Sequence, residues 1–316
     1  MSATRTQTIQ VETSGLFTTV QDLGREGFGP MGVSPSGAAD PIALCLGNRL
    51  VANAEGAAGL EMTLTGGTFL FPEGAVAALA GSDFGATLDG AAVELWTSIE
   101  VRPGQMLCLG PTRSGARCYL CVQGGIAVTP FLGSASTHVL IGLGGFEGRP
   151  LRKGDVLQIG PANQSFRKKT IARRAAQQFS PRDLLRFTAG PQADWFSESS
   201  VRSFCESTYR VGEQSNRMGL RLEGPPVSQP PGRQMITEGV SLGAIQVPPS
   251  GLPIILFVDQ QTTGGYPKIG NVISADLHRV GQLRPRDEIR FVEVTLEAAR
   301  SFLIEQDKAL RSEDFS

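Results

Sequence analysis

The residues best placed to do chemistry follow one apolar run. Ile254, Ile255, Leu256, Phe257 and Val258 have the length of a strand buried on both faces, and they end abruptly in Asp259, Gln260, Gln261, Thr262 and Thr263. Gly264 and Gly265 follow, then Tyr266, Pro267 and Lys268, so the chain turns tightly and its backbone can approach a ligand. Such a cluster suits a small polar ligand held by hydrogen bonds. Composition alone favours the plainer alternative, a polar surface turn after a strand, because loops usually lie at the surface.

Other chemical motifs are weaker. Cys118 and Cys121 have C-x-x-C spacing, but no second pair accompanies them and neither His138 nor His278 is near in sequence. Tyr119, Leu120 and Val122 favour a strand, which points residues 118 and 121 to opposite faces, so shared metal ligation is not expected. The two histidines read as packing or surface residues rather than a catalytic pair. Gly142, Gly144 and Gly148 have the wrong last spacing for a dinucleotide loop and no long helical pattern follows, so Gly142 to Pro150 is a turn. No GxxxxGK[ST] loop occurs, so the chain by itself has no recognisable phosphate cradle. Asp40 followed by Pro41 marks a helix start, but its carboxylate weakens any attraction of that helix end for an anion.

With 316 residues, the chain is long enough for about two domains. Its 39 glycines, 20 prolines and 41% hydrophobic content point to short strands joined by turns rather than long helices or disorder. A net charge of -1 leaves no electrostatic footprint for nucleic acid or an anionic membrane, so the expected partners are small molecules and proteins. The polar start MSATRTQTIQVETSG reads as neither signal peptide nor anchor, and no run reaches the roughly 18 to 20 apolar residues of a membrane span. Five cysteines, mostly in apolar surroundings, read as reduced thiols of a cytoplasmic protein.

The elements that must position the polar cluster are mainly strands. Ile9 to Phe17 reads as the first, and residues 41 to 52 as a helix with Ile42, Cys45, Leu46, Arg49 and Leu50 at helical spacing. Short strands follow at 60–64, 68–71, 75–80, 93–101, 106–110, 117–123 and 155–159, the pattern of a closed or nearly closed barrel. A turn-and-strand unit recurs as VRPGQMLCLG (101–110), LRKGDVLQIG (151–160) and LRPRDEIRFV (283–292), which hints that the two halves are related barrels. Residues 1–165 and 183–316 are the expected domains, with the basic stretch 166–182 as linker. The second half opens with a strand at 184–188 and a helix over 193–205 with Phe196, Val201 and Phe204 inward; it closes with a helix capped by Thr295.

Six segments in fixed order then resemble one family: GLFTTVQDLGREGFGPMGVSPSGAAD (15–40), LEMTLTGG (60–67), GGFEGRPLRKGD (144–155), SNRMGLRLEGP (215–225), EGVSLGAIQVPPSGLPI (238–254) and DQQTTGGYPKI (259–269). The chain is similar, from about residue 10 to 295, to the biotin-dependent carboxyltransferase family. That family includes the C-type component of 5-oxoprolinase, KipA-type proteins, allophanate hydrolase subunit 2 and part of urea carboxylase. Arg286 departs from it where glycine is usual before the last strand, and Leu220 where an aromatic is frequent.

The resemblance implies a mainly β fold of two cyclophilin-like β-barrel domains packed together, with a few short helices. It implies ATP-dependent opening of 5-oxoproline to glutamate with two 5-oxoprolinase partners, a B-type (KipI-type) protein and an A-type hydrolase. The alternatives are the carboxyltransferase part of a urea-type carboxylase and a KipA-type regulatory module without turnover of its own. ATP is expected at a site shared with a partner. Covalent biotin is not, because none of Lys153, Lys168, Lys169, Lys268 and Lys308 is flanked by methionine. Lactam opening needs cations against developing charge, donors for the substrate and a carboxylate to move a proton. Arg217 and Lys268 fit the first need, and Asp259 and Glu238 the last. Gln246, Gln261, Thr262, Thr263, Gly264, Gly265 and Tyr266 are the expected substrate-binding residues; no metal is expected. Some have structural uses too: Asp259 can cap a turn, Arg217 can pair with Glu213 or Glu223, and Gln246 can satisfy backbone groups.

Overall fold

A computed structural model describes residues 7–162, 167–179, 183–228 and 235–312, and these form two compact units. The first holds the described residues up to Arg25 and from Ser36 to Phe179; the second holds Glu26–Pro35 and residues 183–312. Both are mainly β. Among the described residues, no helix is long and apolar enough to cross a membrane.

The first unit contains β1 (Thr8–Thr13), β2 (Phe17–Gln21), α1 (Pro41–Leu50), β3 (Gly59–Thr63), β4 (Thr68–Phe71), β5 (Ala75–Gly81) and β6 (Thr87–Leu88). It continues with β7 (Ala91–Ala92), β8 (Ser98–Val101), β9 (Gln105–Cys108), β10 (Arg117–Val122), β11 (Ile126–Ala127), β12 (Val156–Ile159) and α2 (Arg173–Ala176). One sheet runs β11-β12-β1-β4-β9-β6-β7, the other β2-β3-β10-β5-β8, and a single apolar cluster unites residues from both. The expected strand from Ile9 to Phe17 is two strands in different sheets. Gly15, at φ 69° and against the Thr65 backbone, makes the break where a side chain would not fit.

Central strand β10 is buried on both faces, hence its unbroken apolar run. Cys118, Leu120 and Val122 enter the apolar cluster, while Cys121 Sγ lies 3.8 Å from the Leu44 carbonyl of α1. The two cysteines therefore face opposite ways, as strand geometry requires. Burial pushes both thiols well above their ordinary range, as it pushes Cys45 up to about 12. Asp40 caps α1 by accepting from Ala43 N at 3.0 Å. In the stretch expected to link domains, Ile171, Ala175 and Ala176 are buried, and Thr170 bridges to Thr97. That part belongs to the first unit; residues 163–166 and 180–182 lie outside the described ones.

The second unit is built from β13 (Leu184–Ala189), α3 (Glu198–Glu206), β14 (Tyr209–Val211), β15 (Gly219–Glu223), β16 (Glu238–Gly239), β17 (Ala244–Gln246) and β18 (Ile254–Leu256). After these come β19 (Thr263–Gly264), β20 (Lys268–Val272), α4 (Leu277–Val280), β21 (Glu288–Glu293) and α5 (Leu296–Leu310). Seven strands close a barrel in the order β13-β20-β17-β18-β15-β14-β21. Closure is by the parallel pair β13–β21, with Leu184 opposite Arg290. Phe204 of α3 stacks on Phe291 of β21 with centroids 4.5 Å apart and meets Phe187 edge-on at 5.5 Å. Burying such a ring contributes about 2 to 3 kcal/mol. Of the expected inward residues, Phe196 and Phe204 are buried and Val201 half-buried.

The repeated turn-and-strand unit is real in geometry. Gly104, Gly154 and Arg286 hold the same place in the three copies, all with left-handed φ, at 80°, 90° and 75°. In each copy the next side chain reaches back to a backbone N–H: Gln105 to Arg102 at 2.8 Å, Asp155 to Arg152 at 2.7 Å, Asp287 to Arg284 at 2.9 Å. A strand starts at or just after that residue in every copy.

Candidate functional site

All the expected site residues lie in the second unit, but its strand register divides them into two groups. The run Ile254–Val258 is regular strand only to Leu256; Phe257 N then donates to Met218 O at 2.9 Å and Asp259 N to Arg217 O at 2.8 Å. Asp259 is thereby drawn beside the segment entering β15. Its carboxylate accepts from Arg217 Nε at 2.8 Å and Nη2 at 3.1 Å, both side chains being buried. This fork against a carboxylate is a strong, oriented ion pair. Glu213, an expected partner of Arg217, is instead taken by Arg286 at 2.7 Å.

The other group forms at the opposite end of the β17–β18 ladder. Gln246 ends β17 opposite Ile254, the first residue of β18, and on its other side opposite Lys268, the first residue of β20. A register shift between Ile245 and Gln246 marks a bulge there, a device that re-aims side chains. Glu238 and Gly239 form a short ladder with Gly264 and Thr263, which carries Glu238 to Lys268. Glu238 Oε1 accepts from Lys268 Nζ in a very close contact, the ammonium side chain being 4% exposed and the carboxylate 43%. Lys268 holds the Glu238 carboxyl below its ordinary range, with a second contribution from Gln192. Glu238 is therefore ionised at neutral pH.

Gln192 was not legible as a site residue. Its Nε2 donates to Glu238 Oε1 at 3.0 Å and its Oε1 accepts from Lys268 N at 3.2 Å, so one amide spans both partners. It lies 76 residues before Lys268 and reaches it because Ala189 pairs with Gly270 across β13 and β20. The only trace in sequence is the Gly190-Pro191 turn just before it.

Gln246 completes this group. The side chain is 1% exposed, and its buried Nε2 makes no hydrogen bond among the described residues. That nitrogen sits against Gly264, in the space a Cβ at 264 would fill. Of the remaining expected binding residues, Gln261, Thr263, Gly265 and Tyr266 are exposed and Thr262 half-buried. The structure thus brings together Glu238, Gln246, Gly264 and Lys268, adds Gln192, and sets Arg217 and Asp259 in a separate pair. A cleft of about 350 Å³ bounded by Thr208, Arg210, Glu223 and Glu288 contains none of them.

Residues 31–293 match the model of the carboxyltransferase domain, subdomain A and B. The chain belongs to this family. It is 38% identical to the C component of 5-oxoprolinase from Escherichia coli over 291 residues, 92% of this chain and 93% of that protein. It is 35% identical to urea amidolyase of Saccharomyces cerevisiae over 97% of this chain, but this is only 18% of that longer protein. Among solved structures, Kluyveromyces lactis urea carboxylase superposes with a TM-score of 0.91 at 32% identity, covering 100% of this chain and 30% of that one. These similarities agree with the mainly β architecture expected from the resemblance.

Proposed function

We propose that this chain is the C-type component of an ATP-dependent 5-oxoprolinase, opening 5-oxoproline to L-glutamate with a B-type (KipI-type) protein and an A-type hydrolase in the cytoplasm. The observation that carries this reading is the near end-to-end match with the C component of Escherichia coli 5-oxoprolinase, against the small fraction of urea amidolyase that the chain covers. In this reading Lys268 and Gln246 hold the substrate, Glu238 accepts or returns a proton, and the exposed Thr263 and Tyr266 lie at the mouth.

ATP, when bound, would activate the lactam oxygen. The N-termini of α1, α3 and α5 do not fit a triphosphate. Asp40 caps α1 with its own carboxylate, and Glu198 and Glu297 stand in the first turns of α3 and α5, so each of these helix ends already meets negative charge. The proposal therefore assigns ATP to a site shared with a partner protein, and no covalent biotin to this chain.

The test is reconstitution. The purified chain is combined with its two partner proteins and glutamate is measured from 5-oxoproline and ATP. Turnover that persists unchanged when this chain is omitted overturns the proposal. The likeness to urea carboxylase supports a second reading, the acceptor part of a urea-type carboxylase. Biotin-dependent incorporation of bicarbonate into urea would establish that one instead.

A further inference from the structure

We propose that Glu238 occupies the place of a ligand carboxylate, and that the site recognises its ligand through a carboxylate exchanged onto Lys268 and Gln246. The choice of probe rests on the 5-oxoprolinase reading; the inference about the site does not.

Three observations carry it. First, the Lys268–Glu238 pair is lopsided: the ammonium side chain is 4% exposed and its carboxylate partner 43%. A buried ammonium needs a counter-charge wherever the protein goes, whereas an exposed glutamate loses little on returning to water. The carboxylate is the exchangeable half. Second, Glu238 is held on only a two-residue ladder, opposite Gly264, with Gln192 as its other partner. Little structure is lost if its side chain swings away, and Gln192 keeps its bond to the Lys268 backbone.

Third, Gln246 Nε2 is a buried donor that finds no acceptor among the described residues, on the residue directly opposite Lys268 and against Gly264. An unmade hydrogen bond in such a place is costly, and native proteins retain few. Glu238 satisfies Lys268 but leaves Gln246 unsatisfied. A ligand carboxylate has two oxygens, one for the ammonium and one for the amide, and so completes both. The missing side chain at Gly264 is what lets the Gln246 amide lie on this side of the ladder, beside Lys268. A neutral amide such as urea supplies no charge to replace Glu238, so the arrangement selects an anionic ligand.

The experiment titrates the full chain by calorimetry with two matched pairs: 5-oxoproline against 2-pyrrolidinone, the same lactam without a carboxylate, and acetate against acetamide. Urea is a fifth ligand. The carboxylate member of each pair is expected to bind at least about tenfold tighter, the usual size of a charge-assisted contact. Glu238→Gln, at an exposed position, removes the competing charge and is expected to tighten 5-oxoproline severalfold without changing 2-pyrrolidinone. Lys268→Met is expected to abolish the difference within each pair, its folding checked by circular dichroism. Equal binding within the pairs, a preference for urea, no binding by any ligand, or weaker 5-oxoproline binding in Glu238→Gln overturns the inference. Failure of the glutamate assay with selectivity for acetate intact would reject the 5-oxoprolinase reading while leaving the carboxylate site.

Discussion

The side-chain nitrogen of Gln246 lies in the space that a Cβ at Gly264 would need. Backbone strain is not the reason for glycine here, since Gly264 is not among the residues with left-handed φ. Vacating that space requires moving only the end of a flexible amide, with Val240 Cγ1 as the next neighbour at 3.1 Å. Gly264→Ala is therefore expected to cost about 1 kcal/mol, the low end for overpacking. It should nevertheless weaken 5-oxoproline binding severalfold, because the displaced amide no longer points at its acceptor. Urea denaturation and titration of the same variant check both halves.

Arg217 and Asp259 call for the opposite pattern. Both are buried, and the carboxylate accepts two bonds from the guanidinium. Removing one charge leaves the other in a poorly solvated site, so Asp259→Ala is expected to cost about 3 to 5 kcal/mol. Replacing both by leucine should cost clearly less than the sum of the two single changes. A double-mutant cycle in urea measures this. The pair anchors the end of β18 to the segment entering β15.

The sequence carries these two groups as one because residues 259–268 are contiguous, while register is a property of the folded sheet. Ile254–Val258 announced a buried strand, of which Ile254–Leu256 is regular. Nothing local says that Asp259 turns toward Arg217 while Lys268 returns to face Gln246; that follows from antiparallel pairing of β15, β18, β17 and β20. Gln192 was invisible for the same reason. Elements with a strong local signal, such as α1 behind Asp40 and Pro41 or α5 behind Thr295, were legible almost to their ends. The break at Gly15 was not, because its cause is the distant Thr65 backbone.

Arg286 offers a test of the repeated turn. It holds φ at 75°, in the place where Gly104 and Gly154 stand in the other two copies. A left-handed non-glycine residue carries about 1 kcal/mol or more of strain, and glycine recovers it while losing some conformational entropy of the unfolded chain. The Glu213 contact that Arg286 would lose is between exposed side chains and contributes little. Arg286→Gly is expected to stabilise the protein by up to about 1 kcal/mol, whereas Gly104→Arg, at a position with open space for a side chain, should destabilise it by a similar amount. Thermal unfolding of the two variants compares them directly.

His278 sets a pH dependence. Burial foremost, then the neighbouring Arg279 charge, lowers its pKa from 6.5 to about 4, with Arg186 adding to the lowering and Asp276 opposing it. Gln306 lies 3.5 Å from its Nδ1. Below pH 6.5 the unfolded chain takes up a proton that the folded protein refuses, so this group's contribution to stability is complete above that pH. It declines as pH falls toward about 4, at no more than about 1.4 kcal/mol per pH unit. Asp276 and Glu238, whose carboxyls are held low, add their own loss only as unfolded carboxyls begin to protonate, near pH 4. The interval from about pH 6.5 to 5 therefore isolates histidine. Unfolding free energies at several pH values in that interval should fall more steeply for the native chain than for His278→Gln, which retains the buried His138; equal slopes in the two proteins would show that His278 is not the group responsible.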